Sequence, residues 1–279
     1  MDVEVIAGRV YLIPPKGLLA EYREEIERKF NEGKFRWVTE NFDIPRKFEF
    51  EIEVVVDDDC EICPAAIELV SEMAAKYSNV TAKIYNATYV QPPFEVAATP
   101  SFRINKTVKF AGMPLDPRSV ERYFAEFLKE AYVRTHPKTG ELIERIRRFA
   151  ELHGLRRNPN DSAYMNILYR LLRNIDEYGK PYCPCRPVRR EDTVCPCPHA
   201  LTEVKTKGTC LCGLFWSKEK VDEYIKERLS KYGWAISEIE KVQKALEELK
   251  KRVVTGRSRM LAESIINKLH EIYAILPED

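Results

Sequence analysis

The sequence predicts an α/β domain, then a mostly α-helical, cysteine-rich domain, then a C-terminal helical hairpin. Three observations carry this. Lys47–Val56 alternates apolar and acidic residues and then runs apolar, as a strand entering a core does, and a helical segment and further short apolar runs follow it. Residues 180–216 hold six of the eight cysteines and five of the 17 prolines, with little helical periodicity. Ile239, Val242, Leu246, Leu249 and Val253, then Leu261, Ile265, Leu269, Ile272 and Leu276, recur at threes and fours on either side of Thr255-Gly256.

Taken in order, residues 1–45 form an N-terminal extension. Val10–Ile13 is an apolar run ended by Pro14-Pro15, and Leu18–Phe30 is a helical pattern with Leu19, Tyr22, Ile26 and Phe30 on one face. These are a candidate first strand and helix for the domain at 46–132. There the strand ending at Val56 is followed by Asp57-Asp58-Asp59, a C-x-x-C at Cys60 and Cys63, and a helix to Tyr77. Strands are expected at Val80–Tyr85, at Ser101–Ile104 after Thr99-Pro100, and at Thr107–Phe110 before Gly112. Pro117 opens an amphipathic helix through Val120, Phe124, Phe127 and Leu128 to Val133. Residues 133–157 read as a helical connector with a charged helix at Gly140–Gly154. In the cysteine-rich domain, 158–233, Asn158-Pro159-Asn160-Asp161-Ser162 starts a helix at Ala163–Tyr178 that ends at Gly179. The hairpin occupies 234–279; its seam packs on the chain's own domains or on a second copy in a homodimer.

Composition sets the bounds. With 279 residues, 44% hydrophobic and 32% charged, the chain has material for about two packed domains and is not disordered. A formal charge of +1 argues against a whole-chain grip on nucleic acid or an anionic membrane. No apolar run reaches the roughly 18 residues a transmembrane helix needs. Met1-Asp2-Val3-Glu4 is acidic where a secretory signal is basic, so a cytoplasmic protein is expected. Close thiol pairs in a reducing compartment point to metal binding or redox chemistry rather than to structural disulfides.

A C-x-x-C between a strand and a helix sets a thiol at the helix N-terminus, where backbone N–H groups favour the thiolate. Asp57-Asp58-Asp59 and Glu61 oppose that, so the pair should be a reductant or an exchange relay. Half of a zinc site and inert thiols are the alternatives, but no second C-x-x-C or suitable histidine lies nearby. The run Cys60-Glu61-Ile62-Cys63-Pro64, with Thr99-Pro100-Ser101-Phe102 and Arg103-Ile104-Asn105-Lys106, resembles the glutaredoxin- and thioredoxin-like fold over 46–132. The resemblance implies Cys60 as the attacking thiol and Cys63 as the resolving one. It also implies Thr99 and a cis-Pro100 as the wall that positions a substrate disulfide.

The other six cysteines form three C-x-C units: Cys183-Pro184-Cys185, Cys195-Pro196-Cys197 and Cys210-Leu211-Cys212. Six thiols exceed one tetrahedral site by two, and a four-cysteine cluster plus one dithiol uses them all. C-x-C is short for a zinc ribbon, while four thiolates are the usual set for a [4Fe–4S] cluster. These motifs, with Asn158-Pro159, Leu171-Leu172-Arg173-Asn174 and Tyr178-Gly179 upstream, resemble the catalytic subunit of ferredoxin–thioredoxin reductase. That resemblance implies Cys183, Cys195, Cys197 and Cys210 as cluster ligands. It implies Cys185 as the interchange thiol and Cys212 as its disulfide mate. Leu211 stands where the family commonly has histidine, which makes His199 the candidate proton donor. Arg186, Arg189 and Arg190 form either a docking face for an acidic ferredoxin or a solvated loop.

The combined expectation is a ferredoxin-dependent disulfide reductase. A [4Fe–4S] cluster beside a Cys185–Cys212 disulfide would feed the Cys60/Cys63 pair, and through it thioredoxin, glutaredoxin or other disulfide proteins. The alternatives are that the two sites serve separate substrates, or that zinc on some of the cysteines stabilises an interaction protein.

Overall fold

The computed structural model describes residues 2–252 and divides into two units, one ending at Thr135 and the other beginning at His136. The first contains β1 (Glu4–Ile6), β2 (Val10–Ile13), α1 (Leu18–Glu21), α2 (Arg23–Glu32), β3 (Phe50–Val56), α3 (Cys63–Lys76), β4 (Val80–Asn86), β5 (Ser101–Ile104), β6 (Val108–Ala111) and α4 (Pro117–Thr135). The strands make one mixed sheet in the order β1-β2-β4-β3-β5-β6. β2, β4 and β3 run parallel, and β5 and β6 return antiparallel beside β3. β3 is central because its sequence allows burial on both faces: Val54, Val55 and Val56 are all fully buried. Helix α3 packs on β3 and β4, and α4 on β5 and β6. Under α4, Phe102 lies 5.0 Å from both Phe110 and Phe124. This is the thioredoxin-like α/β region expected of the N-terminal half.

Two local features differ from the sequence reading. The helix expected over Leu18–Phe30 is two helices, because Tyr22, at φ −88° and ψ −2°, turns the chain so that Leu19 and Ile26 both reach the core. Strand β1 had no periodicity to announce it. It pairs with β2 through a three-residue turn, Ala7-Gly8-Arg9, in which Ala7 and Gly8 both take positive φ.

Charge is also buried in this unit. Glu53, on the acidic face of β3, is only 3% exposed; it faces Arg103 across the β3–β5 ladder and accepts 2.5 and 2.7 Å hydrogen bonds from the guanidinium. Glu72 on α3 has no exposed surface. Its carboxylate accepts from the Lys29 ammonium at 2.8 Å and from the backbone N–H groups of Arg36, Trp37 and Val38 at 2.6–3.1 Å. One acidic side chain therefore fixes both α2 and the irregular segment after it onto α3. Glu72→Gln is expected to destabilise this unit by about 3–5 kcal/mol, because one amide oxygen replaces a charged, multiply bonded acceptor and leaves the buried Lys29 ammonium with Glu25, 3.4 Å away, as its one remaining carboxylate. Denaturant unfolding followed through the buried Trp37 measures it; a variant as stable as the parent would show that those N–H groups find other acceptors.

The second unit contains α5 (Thr139–Leu152), β7 (Arg156–Arg157), α6 (Asp161–Tyr178), a 3-10 turn (Glu191–Thr193), α7 (His199–Lys207), β8 (Phe215–Trp216) and α8 (Lys218–Arg252). Asn160 caps α6, its side chain accepting from the Ala163 N–H, and Gly179 closes it at φ 77°, a left-handed conformation that suits glycine. α8 runs unbroken from Lys218 to Arg252, across residue 234. The expected second arm of the C-terminal hairpin, after Thr255-Gly256, lies outside the described residues, as do Val253 and the side chains of Ile239, Leu246 and Leu249 in the first arm. Among the described residues no helix is long and apolar enough to cross a membrane.

Candidate active site

The first cysteine pair sits where β3 hands over to α3. Cys60 is half-buried at the end of the loop and Cys63 is fully buried at the first residue of the helix; the two are joined as a disulfide. Burial separates their accessibility: an incoming thiol can reach Cys60 and not Cys63. The Thr99–Pro100 peptide is cis and precedes β5, and the Pro100 carbonyl accepts from the Gly112 N–H at 2.8 Å. The acidic run before the pair is built into the fold. Asp57 accepts from the Thr99 hydroxyl at 2.5 Å, tying the cysteine loop to the cis-proline loop. Asp58 accepts from the Leu18 N–H at 2.9 Å and from Asn86 at 2.7 Å, and these two donors hold its carboxyl below the usual range. Gly17 makes this approach feasible, since a Cβ there would lie 2.3 Å from the Asp58 carboxylate.

The three C-x-C units are brought together by short backbone pairings. Tyr182 and Val194 form an antiparallel bridge, and around it the Cys183 N–H donates to Thr193 and the Cys195 N–H to Pro181, each at 2.8 Å. These bonds lay the first motif beside the second. The third lies in a turn closed by the Cys210 N–H donating to Phe215 at 2.9 Å, with a Thr209–Trp216 bridge next to it. Two upstream asparagines hold the assembly. Asn158, 5% exposed, donates from its side chain to Gly213 and from its backbone to Leu214, both at 2.9 Å. Asn174 donates to the Tyr182 carbonyl at 2.6 Å. The sequence marks both positions, Asn158-Pro159 and Asn174, but not what they hold.

Burial divides the six thiols into four and two. Cys183, Cys195, Cys197 and Cys210 are each no more than 5% exposed, whereas Cys185 and Cys212 are half-buried; none of the six is in a disulfide. Cys212 lies 3.5 Å from Cys210, sulfur to sulfur. Its hydrogen bonds with Cys183 and Cys210 draw the Cys183 thiol down to about 6 and the Cys210 thiol down to about 7, and push Cys212 far up. Burial pushes Cys195, Cys197 and Cys185 up. The set therefore concentrates negative charge that only partial protonation relieves.

The remaining candidate residues are placed as follows. His199 opens α7 and meets Asp192 at 3.3 Å. Arg190 also pairs with Asp192, at 3.1 Å, and Arg189 lies over the Tyr178 ring at 3.7 Å. Arg186 is held by Glu203 of α7 and by Cys197. Leu211, between the last two cysteines, is 53% exposed. Sequence reasoning missed Glu203, which no local pattern singles out.

Among the described residues no group of three or more His, Cys, Asp or Glu side chains is placed to hold a metal ion. A [4Fe–4S] cube takes one thiolate at each iron, so its four ligands surround a cube instead of converging on one point. The residues fit such a group. Four buried sulfurs, three of them next to the two backbone bridges, would supply its donor set. Among the described residues the Arg186 Nε–H is one of three buried side-chain polar atoms with no hydrogen-bond partner, and a cluster sulfur is an acceptor it could use.

Residues 135–253 match the family described as ferredoxin thioredoxin reductase catalytic beta chain, and residues 50–125 match the thioredoxin domain. The two matches reproduce the fusion expected from the motifs. The reductase family binds an iron–sulfur cluster and works on a thioredoxin-type disulfide. No curated protein matches the chain. Two solved structures are similar to parts of it. One is Sso1120 from Sulfolobus solfataricus, 17% identical with a TM-score of 0.32, covering 37% of this chain and 65% of that one. The other is the NTD_N/C domain of the alkylhydroperoxide reductase AhpF from Enterococcus faecalis (V583), 13% identical with a TM-score of 0.31, covering 41% of this chain and 57% of that one. The chain thus spans less than two thirds of the length of each.

Proposed function

We propose that this chain is a ferredoxin-dependent disulfide reductase working in the cytoplasm, with Cys185 and Cys212 as its cluster-side redox pair and Cys60 and Cys63 as its delivery pair. The observation that carries the reading is the division of the six C-terminal thiols. Four buried sulfurs suit permanent ligands, Cys183, Cys195, Cys197 and Cys210, and two accessible ones suit a pair that must meet another protein. When bound, a [4Fe–4S] cluster supplies electrons one at a time and shares the unpaired electron of a half-opened disulfide.

The chain's own residues do the rest by thiol–disulfide exchange. Cys185, as thiolate, attacks Cys60 Sγ; the Cys60–Cys63 bond breaks and Cys63 leaves as a thiolate. Cys212 then attacks Cys185 Sγ, closing the Cys185–Cys212 disulfide and releasing Cys60. Two electrons and two protons have moved to the N-terminal pair. Two single electrons from a ferredoxin or similar donor, with two protons, return Cys185 and Cys212 to thiols. The N-terminal pair repeats the exchange on a protein disulfide that Thr99 and Pro100 position. Tethering the two sites raises their mutual concentration to the order of mM.

Cys60→Ser tests the relay. The variant is expected to accept electrons at Cys185–Cys212 as the parent does, yet to deliver fewer than about 1% of them to an external protein disulfide, since removing a nucleophile typically costs several orders of magnitude. Stopped-flow reduction, with trapped thiols counted by mass spectrometry, separates the two steps. Undiminished delivery would leave the N-terminal pair outside the path.

A further inference from the structure

Glu203 bonds to residues next to both thiols assigned to the redox pair. It is a half-buried residue on α7, and its two carboxylate oxygens face different motifs. One oxygen pairs with the guanidinium of Arg186, the residue after Cys185. The other accepts the backbone N–H of Leu211, the residue before Cys212, at 2.8 Å. A single side chain thus bridges the backbone neighbours of both thiols. It does so while those thiols are open, since neither is in a disulfide here.

We propose that Glu203 is a positioning residue that keeps the arms carrying Cys185 and Cys212 at closing distance when their disulfide is open, and so makes the dithiol a stronger reductant. This rests on the assignment of Cys185 and Cys212 as the redox pair. Each of these cysteines is the outer member of its C-x-C unit, one residue removed from a buried sulfur, so its position depends on the short backbone beside it. In the closed state the S–S bond itself restrains both arms. In the open state the Arg186–Glu203–Leu211 bridge joins the residues next to both thiols, whereas the Arg170–Pro184 and Asn158–Gly213 hydrogen bonds each hold one arm alone. Removing the bridge therefore frees the open state more than the closed one. Closure becomes less favourable, and the disulfide becomes easier to reduce.

The exchange that reports this is balanced with dithiothreitol: its two thiols are oxidised to the cyclic disulfide while the Cys185–Cys212 bond is reduced to two thiols. The full chain, purified anaerobically, is equilibrated across reduced-to-oxidised dithiothreitol ratios and trapped with N-ethylmaleimide, and the peptides carrying each pair are weighed. Glu203→Ala is expected to shift the Cys185–Cys212 midpoint about tenfold, toward more oxidising buffer, which is about 30 mV for a two-electron couple. The Cys60–Cys63 midpoint in the same samples should stay where it is. Glu203→Gln keeps an acceptor for Leu211 but loses the charge facing Arg186, and Arg186→Leu removes the other partner. Both should move the midpoint part of the way in the same direction, and they decide the matter if the alanine variant does not fold. A midpoint unmoved in these variants, or moved toward more reducing buffer, overturns the positioning role and leaves the redox assignment standing. A parent chain that forms no Cys185–Cys212 disulfide at any ratio overturns both.

Discussion

Cys195→Ser is expected to strip iron from the chain and to unfold the segment around residues 180–216. The reason lies in what that segment has in place of a core. Four of its buried side chains are the cysteines 183, 195, 197 and 210; the apolar ones that join them through residue 215 are Pro181, Val194, Ala200, Val204, Leu214 and Phe215. Six apolar residues, one of them alanine and one proline, cannot offset the entropy of ordering so long a stretch at about 1–2 kcal/mol per residue. The deficit is met if four thiolates bind a metal group, whose binding energy becomes folding energy. Cys195 is the most enclosed of the four, and burial holds its thiol protonated until a metal takes the proton's place. A serine oxygen there is a poor ligand for iron. Metal analysis and limited proteolysis check the result. A variant that keeps its iron and resists cleavage at 180–216 would show that Cys195 is not a ligand.

Cys185→Ser is expected to retain iron and fold but to lose disulfide reduction by at least about a thousandfold, the scale on which removing a nucleophile acts. Cys185 is half-buried where the ligand candidates are buried, so serine costs the fold little. Its thiol is pushed up mainly by burial, with the neighbouring Cys183 adding to the effect; Arg170 and Arg186 pull the other way. Attack requires the thiolate, so parent turnover should rise with pH through the neutral-to-alkaline range until that thiol is ionised. Single-turnover reduction of a protein disulfide measures both effects. Turnover surviving in the variant would move the interchange role to another sulfur.

Much of this was legible in the sequence because the signals are local. The apolar–acidic run through β3, the C-x-x-C at the start of α3 and the Thr99-Pro100 step each occupy a few adjacent residues. The three C-x-C units fixed the number of thiols, and their order carried the family resemblance that the match over 135–253 supports. What was not legible depends on contacts distant in the chain. Glu72 reads as one more charged residue on a helix, and only the fold shows it buried against Lys29 and three N–H groups. Glu53 reads as the solvent face of a strand until Arg103 appears opposite it on β5. Glu203 and Asn158 lie 8 and 55 residues from the backbone groups they hold. The kink at Tyr22 is invisible to periodicity, because the apolar spacing continues through it.

The account depends most on what the four buried sulfurs bind. Iron and acid-labile sulfide should be measured on the full chain purified without oxygen, together with its visible spectrum. About four irons and four sulfides per chain, with broad absorption near 400 nm, are the predicted result for a cluster on four thiolates. A colourless protein carrying zinc and no acid-labile sulfide would contradict it.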